Sequence, residues 1–135
     1  MIELIYISNT PKTLDRSTIL EILNSSHTKN KLNDLTGHLY YDGNSFLQII
    51  EGEENAVRSL YEKIKIDPRH TNVETLYENE INERAFEGWE MAFKELERST
   101  VQNSMVMFNN LKQNSKRHIT NFGAGLFGLF KDSIS

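Results

Sequence analysis

Apolar positions along this chain recur with two different periods. Ile2, Leu4 and Tyr6 share one face of a strand-like run, Ile2 to Ser8, and Phe46, Gln48 and Ile50 share one face of another, Ser45 to Glu51. A third run, Leu35 to Tyr41, is joined to the second by Asp42-Gly43-Asn44, and Asp-Gly supplies the positive φ of a tight hairpin. Val73 to Ile81 and Trp89 to Phe93 read as two more strands, the last placing Trp89, Met91 and Phe93 on one face. Between these runs the spacing changes to three and four residues. Ile19, Ile22, Leu23 and Ser26 make one mostly apolar face of a helix that Asp15 or Ser17 caps and that ends near Asn30. Glu53 to Ile66 is the cleanest helix, with Val57, Leu60, Tyr61 and Ile64 in its stripe. Glu53 and Glu54 stand at its start and Lys63 and Lys65 at its end, as the helix dipole favours, and Asp67-Pro68 stops it.

The order is therefore βαββαββ. With right-handed crossovers this string predicts an α+β, ferredoxin-like fold with a mixed five-stranded sheet. The first and third strands are central neighbours, both helices cover one face, and Tyr6 and Gln48 come close together. From Ser99 the spacing is helical again. Val101, Met105, Phe108 and Leu111 form one stripe and Ile119, Phe122, Leu126 and Leu129 another. Two C-terminal helices capping the second face of the sheet would cover Ile5 and Ile7, which otherwise face water. Residues 1–95 are thus expected to form the domain proper, and 96–135 a helical extension packed on the sheet.

The mismatch on the predicted inner face is chemical. Tyr6 and Gln48 are polar groups among apolar neighbours, and a phenol or amide buried without hydrogen bonds costs roughly 1–3 kcal/mol. Two such groups facing inward point to something polar between them. Taken singly, Tyr6 reads as an ordinary core tyrosine and Trp89 and Met91 as core residues; Gln48 is the one that core packing does not account for.

Composition narrows the field. At 135 residues the chain is expected to be one domain, and a net charge of −4 argues against direct nucleic-acid binding by phosphate neutralisation. No apolar stretch approaches the roughly 18 residues of a membrane span, and the absence of Cys excludes disulfides, a thiol nucleophile and thiolate metal sites. With no basic-then-apolar leader after Met1, the expected address is the cytoplasm. Gly123-Ala124-Gly125-Leu126-Phe127-Gly128 matches G-x-G-x-x-G but follows no strand, so it reads as close-packing glycines in a terminal helix. The histidines at 27, 38, 70 and 118 lack metal-ligand spacing. Neither a nucleophile elbow nor a Walker loop is present.

What remains is a constellation: Tyr6 in Leu-Ile-Tyr-Ile-Ser; Asn30 and Asn33-Asp34-Leu35-Thr36-Gly37; and Phe46-Leu47-Gln48-Ile49-Ile50-Glu51-Gly52. Further on stand Asp67-Pro68-Arg69-His70 and Arg84-Ala85-Phe86-Glu87-Gly88-Trp89-Glu90-Met91. In order and spacing, over about residues 1 to 95, these resemble the BLUF family of flavin-binding blue-light sensor domains, in its short single-domain form. The resemblance implies a noncovalent flavin, FAD in the first place, with FMN or riboflavin as the alternatives. Tyr6 is then the electron and proton donor, and Gln48 the amide that bridges Tyr6 to the ring and rearranges on illumination. It implies that Trp89 and Met91 report that rearrangement, and that Asn30 bonds the carbonyl side of the ring. Ile22, Ser26, Lys29 and Phe46 are expected around the ring, and Lys63, Asp67, Arg69 and His70 around its side chain. Lys29 departs from the family, many of whose members carry a second Asn there.

The implied protein is a photoreceptor without catalytic turnover. Its output would pass through the C-terminal helices to an unidentified downstream protein, with a second copy of the chain as another use of the stripe Ile119, Phe122, Leu126, Phe127 and Phe130. Two other readings fit the fold string alone. One is a ferredoxin-like regulatory or interaction module binding a different small metabolite. The other is an acylphosphatase-type enzyme, against which Asn9 to Lys12 lacks a glycine-rich anion cradle.

Overall fold

The computed structural model describes residues 1–96 and 101. The two C-terminal stripes, the extension over 96–135 and its glycine cluster lie outside the described residues, Leu96 and Val101 excepted. Among the described residues the elements are β1 (Ile2–Asn9), α1 (Arg16–Leu32), β2 (Thr36–Tyr41), β3 (Ser45–Gly52), α2 (Glu54–Ile66), β4 (Thr71–Glu80) and β5 (Ala92–Glu95). They form one five-stranded sheet in the order β4-β1-β3-β2-β5. All neighbours are antiparallel except β2 and β5, which makes the sheet mixed as expected. The first and third strands are central, and Tyr6 stands directly opposite Gln48.

Local chemistry sets the boundaries. The Asp15 carboxylate accepts from the Thr18 N–H at 2.8 Å and caps α1, while the Ser17 hydroxyl donates to Asp15 instead of capping. At the hairpin, Asp42 Oδ1 accepts from the N–H groups of Asn44 and Ser45, and Gly43 takes the left-handed φ of 91°. Gly37 meets a different demand, because a Cβ there would lie 1.9 Å from the Ile49 carbonyl oxygen on β3.

Period-2 alternation sends side chains to two cores. On the helix-covered face, Leu4, Tyr6 and Ile50 pack against Val57, Tyr61 and Ile64 of α2. Beside them Leu39, Tyr41, Phe46 and Met91 pack against Ile22 of α1. On the other face Ile5, Tyr40, Leu47 and Ile49 pack with Leu76, Phe86, Leu96 and Val101. Each fully buried aliphatic or aromatic side chain contributes about 1.5–3 kcal/mol of apolar burial. No helix among the described residues is long and apolar enough to cross a membrane.

One expected strand is shorter than its apolar pattern. β5 begins at Ala92 rather than Trp89, and Trp89 and Met91 do not share a face. The reason is a turn: the Trp89 N–H donates to the Phe86 carbonyl at 2.9 Å, and Gly88 adopts φ 84°. Trp89 emerges beside His38 and Phe86 on the far face, 43% exposed, whereas Met91 is 1% exposed beneath α1. Alternation fails where the chain bends over the sheet's edge.

Candidate functional site

A cleft of about 260 Å³ opens between the sheet and the two helices. Tyr6 and Gln48, from adjacent central strands, form its floor, and every residue expected at the flavin lines it: Ile22, Ser26, Lys29 and Asn30 from α1, Phe46 beside Gln48, and Lys63, Asp67, Arg69 and His70 from α2 and the turn after it. Ser25, Asn33, Ala56, Ser59 and Leu60 line it as well and were missed. Their signal was helical spacing: Ser25 and Asn33 fall at three- and four-residue steps from Ile22 and Lys29, and Ala56, Ser59 and Leu60 fall likewise from Lys63.

The floor is a chain of hydrogen bonds. The Tyr6 hydroxyl donates to Gln48 Oε1, and Gln48 Nε2 donates to Met91 Sδ at 3.3 Å. Both ends of the amide are thereby occupied. Burial, reinforced by Tyr61 and Asp67, holds the Tyr6 hydroxyl far above the usual phenol range, so it stays protonated.

His70 stands at the wall. Its Nδ1 lies 2.7 Å from Ser8 Oγ, and its ring is 4.9 Å from Phe46 and 6.1 Å from Tyr6. Burial pushes its pKa down to about 4 against the opposing pull of Asp67, so the ring is neutral at physiological pH. Asp67 is itself paired with Arg69, whose Nη2 lies 2.6 Å from Oδ2, and this pairing holds the carboxyl below the usual carboxylate range. That leaves Lys29 and Lys63 as the rim cations not engaged by Asp67. Asn30, 1% exposed, donates through Nδ2 to the Glu90 carbonyl at 2.6 Å; an amide has a second N–H and an acceptor oxygen to offer the cleft.

The segment leading to Met91 is anchored on the opposite side of the sheet. Glu51, fully buried, accepts from the Thr36 hydroxyl and from the N–H groups of Ala85 and Phe86 at 2.7–2.9 Å. Arg84 donates to Thr36 Oγ1 at 2.8 Å and pairs with Asp34 at 3.2 Å. Among the described residues no group of three or more His, Asp or Glu has the geometry to hold a metal ion.

The donor set fits a flavin. Ile22, Leu39, Phe46 and Leu60 offer apolar walls to a flat ring, Gln48 and Asn30 offer amides to its polar edge, and Lys29 and Lys63 stand at the rim. A family profile described as "Sensors of blue-light using FAD" matches residues 1–92. Over 83 residues, 62% of this chain, the sequence is 37% identical to the photoactivated adenylate cyclase subunit beta of Euglena longa, of which the match covers 10%. The chain spans about a tenth of the length of the first curated relatives it matches. Among solved structures, BlsA in its photo-activated state is similar with a TM-score of 0.65 and 31% identity, over 99% of this chain and 95% of that one. BlrB, a BLUF protein in its dark state, is similar with a TM-score of 0.69 and 28% identity, over 78% of this chain and 82% of that one. Cleft, residues and profile agree, and the chain belongs to the BLUF family of blue-light sensors.

Proposed function

We propose that this chain is a blue-light receptor that holds FAD noncovalently in the cleft and signals by changing its contacts with another protein. The observation that carries the reading is the hydrogen-bond chain that starts at Tyr6 and Gln48 on the cleft floor and ends at the buried Met91. A bound flavin supplies the blue absorption and an excited state able to take up an electron. Tyr6 would be the donor: because burial opposes the phenolate, its electron would leave only together with the Oη proton, which the hydrogen bond hands to Gln48 Oε1, and both would return to Tyr6 before the lit arrangement is reached. Gln48 is the switch. Turning its amide over presents Nε2 to Tyr6 and Oε1 to Met91, so the Tyr6 oxygen becomes an acceptor and the thioether loses its donor. Met91 immediately precedes β5, which pairs with β2, so loosening Met91 biases the edge of the sheet between two packed arrangements.

Lys29 and Lys63 at the rim favour a phosphate-bearing flavin over riboflavin, and the family description favours FAD. The proposed chain is a sensor rather than a catalyst, and a cytoplasmic setting suits its cysteine-free sequence. The test is the absorption spectrum of the purified protein before and after blue light. A yellow protein is expected, whose pigment is released by denaturation and whose spectrum shifts reversibly. Tyr6→Phe is expected to keep the pigment and lose the shift. A protein that FAD, FMN and riboflavin all fail to load refutes the reading, and a full light response in Tyr6→Phe refutes the role of Tyr6.

A further inference from the structure

Met91 is gripped twice. Its thioether meets Gln48 Nε2, and its backbone carbonyl oxygen lies 2.8 Å from Nε2 of His27. His27 sits on α1 three residues before Asn30, which bonds the preceding carbonyl, that of Glu90. Residues three apart on a helix share a face, so α1 presents two donors in register to two successive carbonyls of the segment that enters β5. A carbonyl oxygen only accepts, and the His27 ring therefore carries its proton on Nε2.

We infer that His27 is a positioning residue of the light switch: by holding the Met91 carbonyl it sets the backbone place from which Met91 Sδ meets the Gln48 amide. The geometry stands on its own, and its consequence for the photocycle rests on the proposed blue-light function. When the Gln48 amide turns over, the Met91 side chain loses its donor, and the bonds from His27 and Asn30 are what keep the segment against α1. Without His27 that segment leaves more readily and returns more slowly. The lit arrangement then outlasts that of the wild type by about three- to tenfold, the change one hydrogen bond supports.

The experiment uses the full chain loaded with FAD and compares His27→Phe, which keeps a ring but has no donor, with His27→Gln, whose amide can donate to the same carbonyl. His27→Phe is expected to retain the pigment and the light-induced shift and to recover in the dark about three- to tenfold more slowly. His27→Gln is expected to recover within about twofold of the wild-type rate. A His27→Phe rate equal to or faster than that of the wild type overturns the assignment, as does a His27→Gln variant as slow as His27→Phe. Independently of light, the ¹⁵N ring resonances of His27 in the wild-type protein, identified by their loss in His27→Gln, are expected to report Nε2–H. A dominant Nδ1–H tautomer overturns the assignment even if no variant loads flavin. A wild type without any light response refutes the blue-light reading instead and leaves the ring protonation to decide His27.

Discussion

Acid will destabilise this protein in a pH window set by two histidines folded in as neutral bases. His38 lies on β2 facing the far side of the sheet, its ring stacked on Tyr40 at 4.2 Å and edge-on to Phe86 at 5.7 Å. Burial pushes its pKa from 6.5 to about 4, with Lys94 acting in the same direction and a backbone bond to Leu39 opposing. His70 falls to about 4 by burial too, with Arg69 reinforcing and Asp67 opposing. Since the folded values lie below the unfolded value, the unfolded chain binds more protons between pH 6.5 and 4. Stability is therefore complete above pH 6.5 and is lost as pH falls toward 4. At about 1.36 kcal/mol per pKa unit, the buried His38 accounts for about 3 kcal/mol across the window. His70, at an open cleft where solvent screens it, accounts for about half of that. Against a typical domain stability of about 5–15 kcal/mol this is a large fraction. The Asp15 and Asp67 carboxyls are held below the ordinary aspartate value, so their contribution is lost only at still lower pH. The assay is urea unfolding followed by circular dichroism from pH 7.5 to 4.5, for the wild type, His38→Phe and His70→Phe. Each variant removes one titrating ring and is expected to flatten the slope, with His38→Phe losing up to about 1.4 kcal/mol per pH unit. A wild-type stability that is flat through the window, or a slope unchanged by His38→Phe, refutes the reasoning.

The other predictions concern the floor, the sheet and the edge. Gln48→Leu leaves the Tyr6 hydroxyl without its acceptor and is expected to lower stability by about 1–3 kcal/mol in urea titration. The same variant is expected to keep bound flavin but lose the light-induced shift, and a normal shift contradicts the role of the amide. Gly37→Ala places a methyl 1.9 Å from the Ile49 carbonyl, forcing β2 from β3 at a cost of about 3 kcal/mol or more; a melting temperature equal to that of the wild type argues against that approach. Trp89, the sole tryptophan and 43% exposed, is expected to change its accessibility to acrylamide on illumination, and identical quenching in dark and light would end the relay at Met91.

Periodicity and crossover handedness together made the central layout legible. Alternation put Tyr6 and Gln48 on inward faces, and the βαββαβ order made their strands neighbours, so only the register that sets them directly opposite had to come from the structure. The expected cleft residues on α1 and α2 came from the family resemblance rather than from periodicity, and Ser25 and Asn33 were missed although a helix that offers Ile22 and Lys29 to a cavity offers them too. Trp89 and Met91 were misread as one face because Gly88, just before the apolar run, was passed over as a turn residue. Glu51 and His27 are a different case. Their acceptors and donors are backbone groups, the N–H of Ala85 and Phe86 and the carbonyl of Met91, and a backbone group leaves no residue-type signature to read.

That dependence on backbone partners bears on how a change in one amide can leave the cleft. β3 carries Gln48 on the helix-covered face and Glu51 three residues on, which alternation turns to the other face. Gln48 holds Met91, and Glu51 holds Ala85 and Phe86, so one strand anchors both ends of the segment that crosses the sheet's edge. Midway, the Gly37 N–H donates to the Trp89 carbonyl at 3.0 Å, which ties the crossing to β2. Only four residues separate Phe86 from Met91, and at about 3.3 Å per residue such a span has little slack once a turn is folded into it. Both cores are close-packed and yield by switching between arrangements rather than by stretching. A Met91 released from Gln48 therefore cannot move alone: the shift must be taken up at the Gly88 turn, where Trp89 already stands half in water on the opposite face.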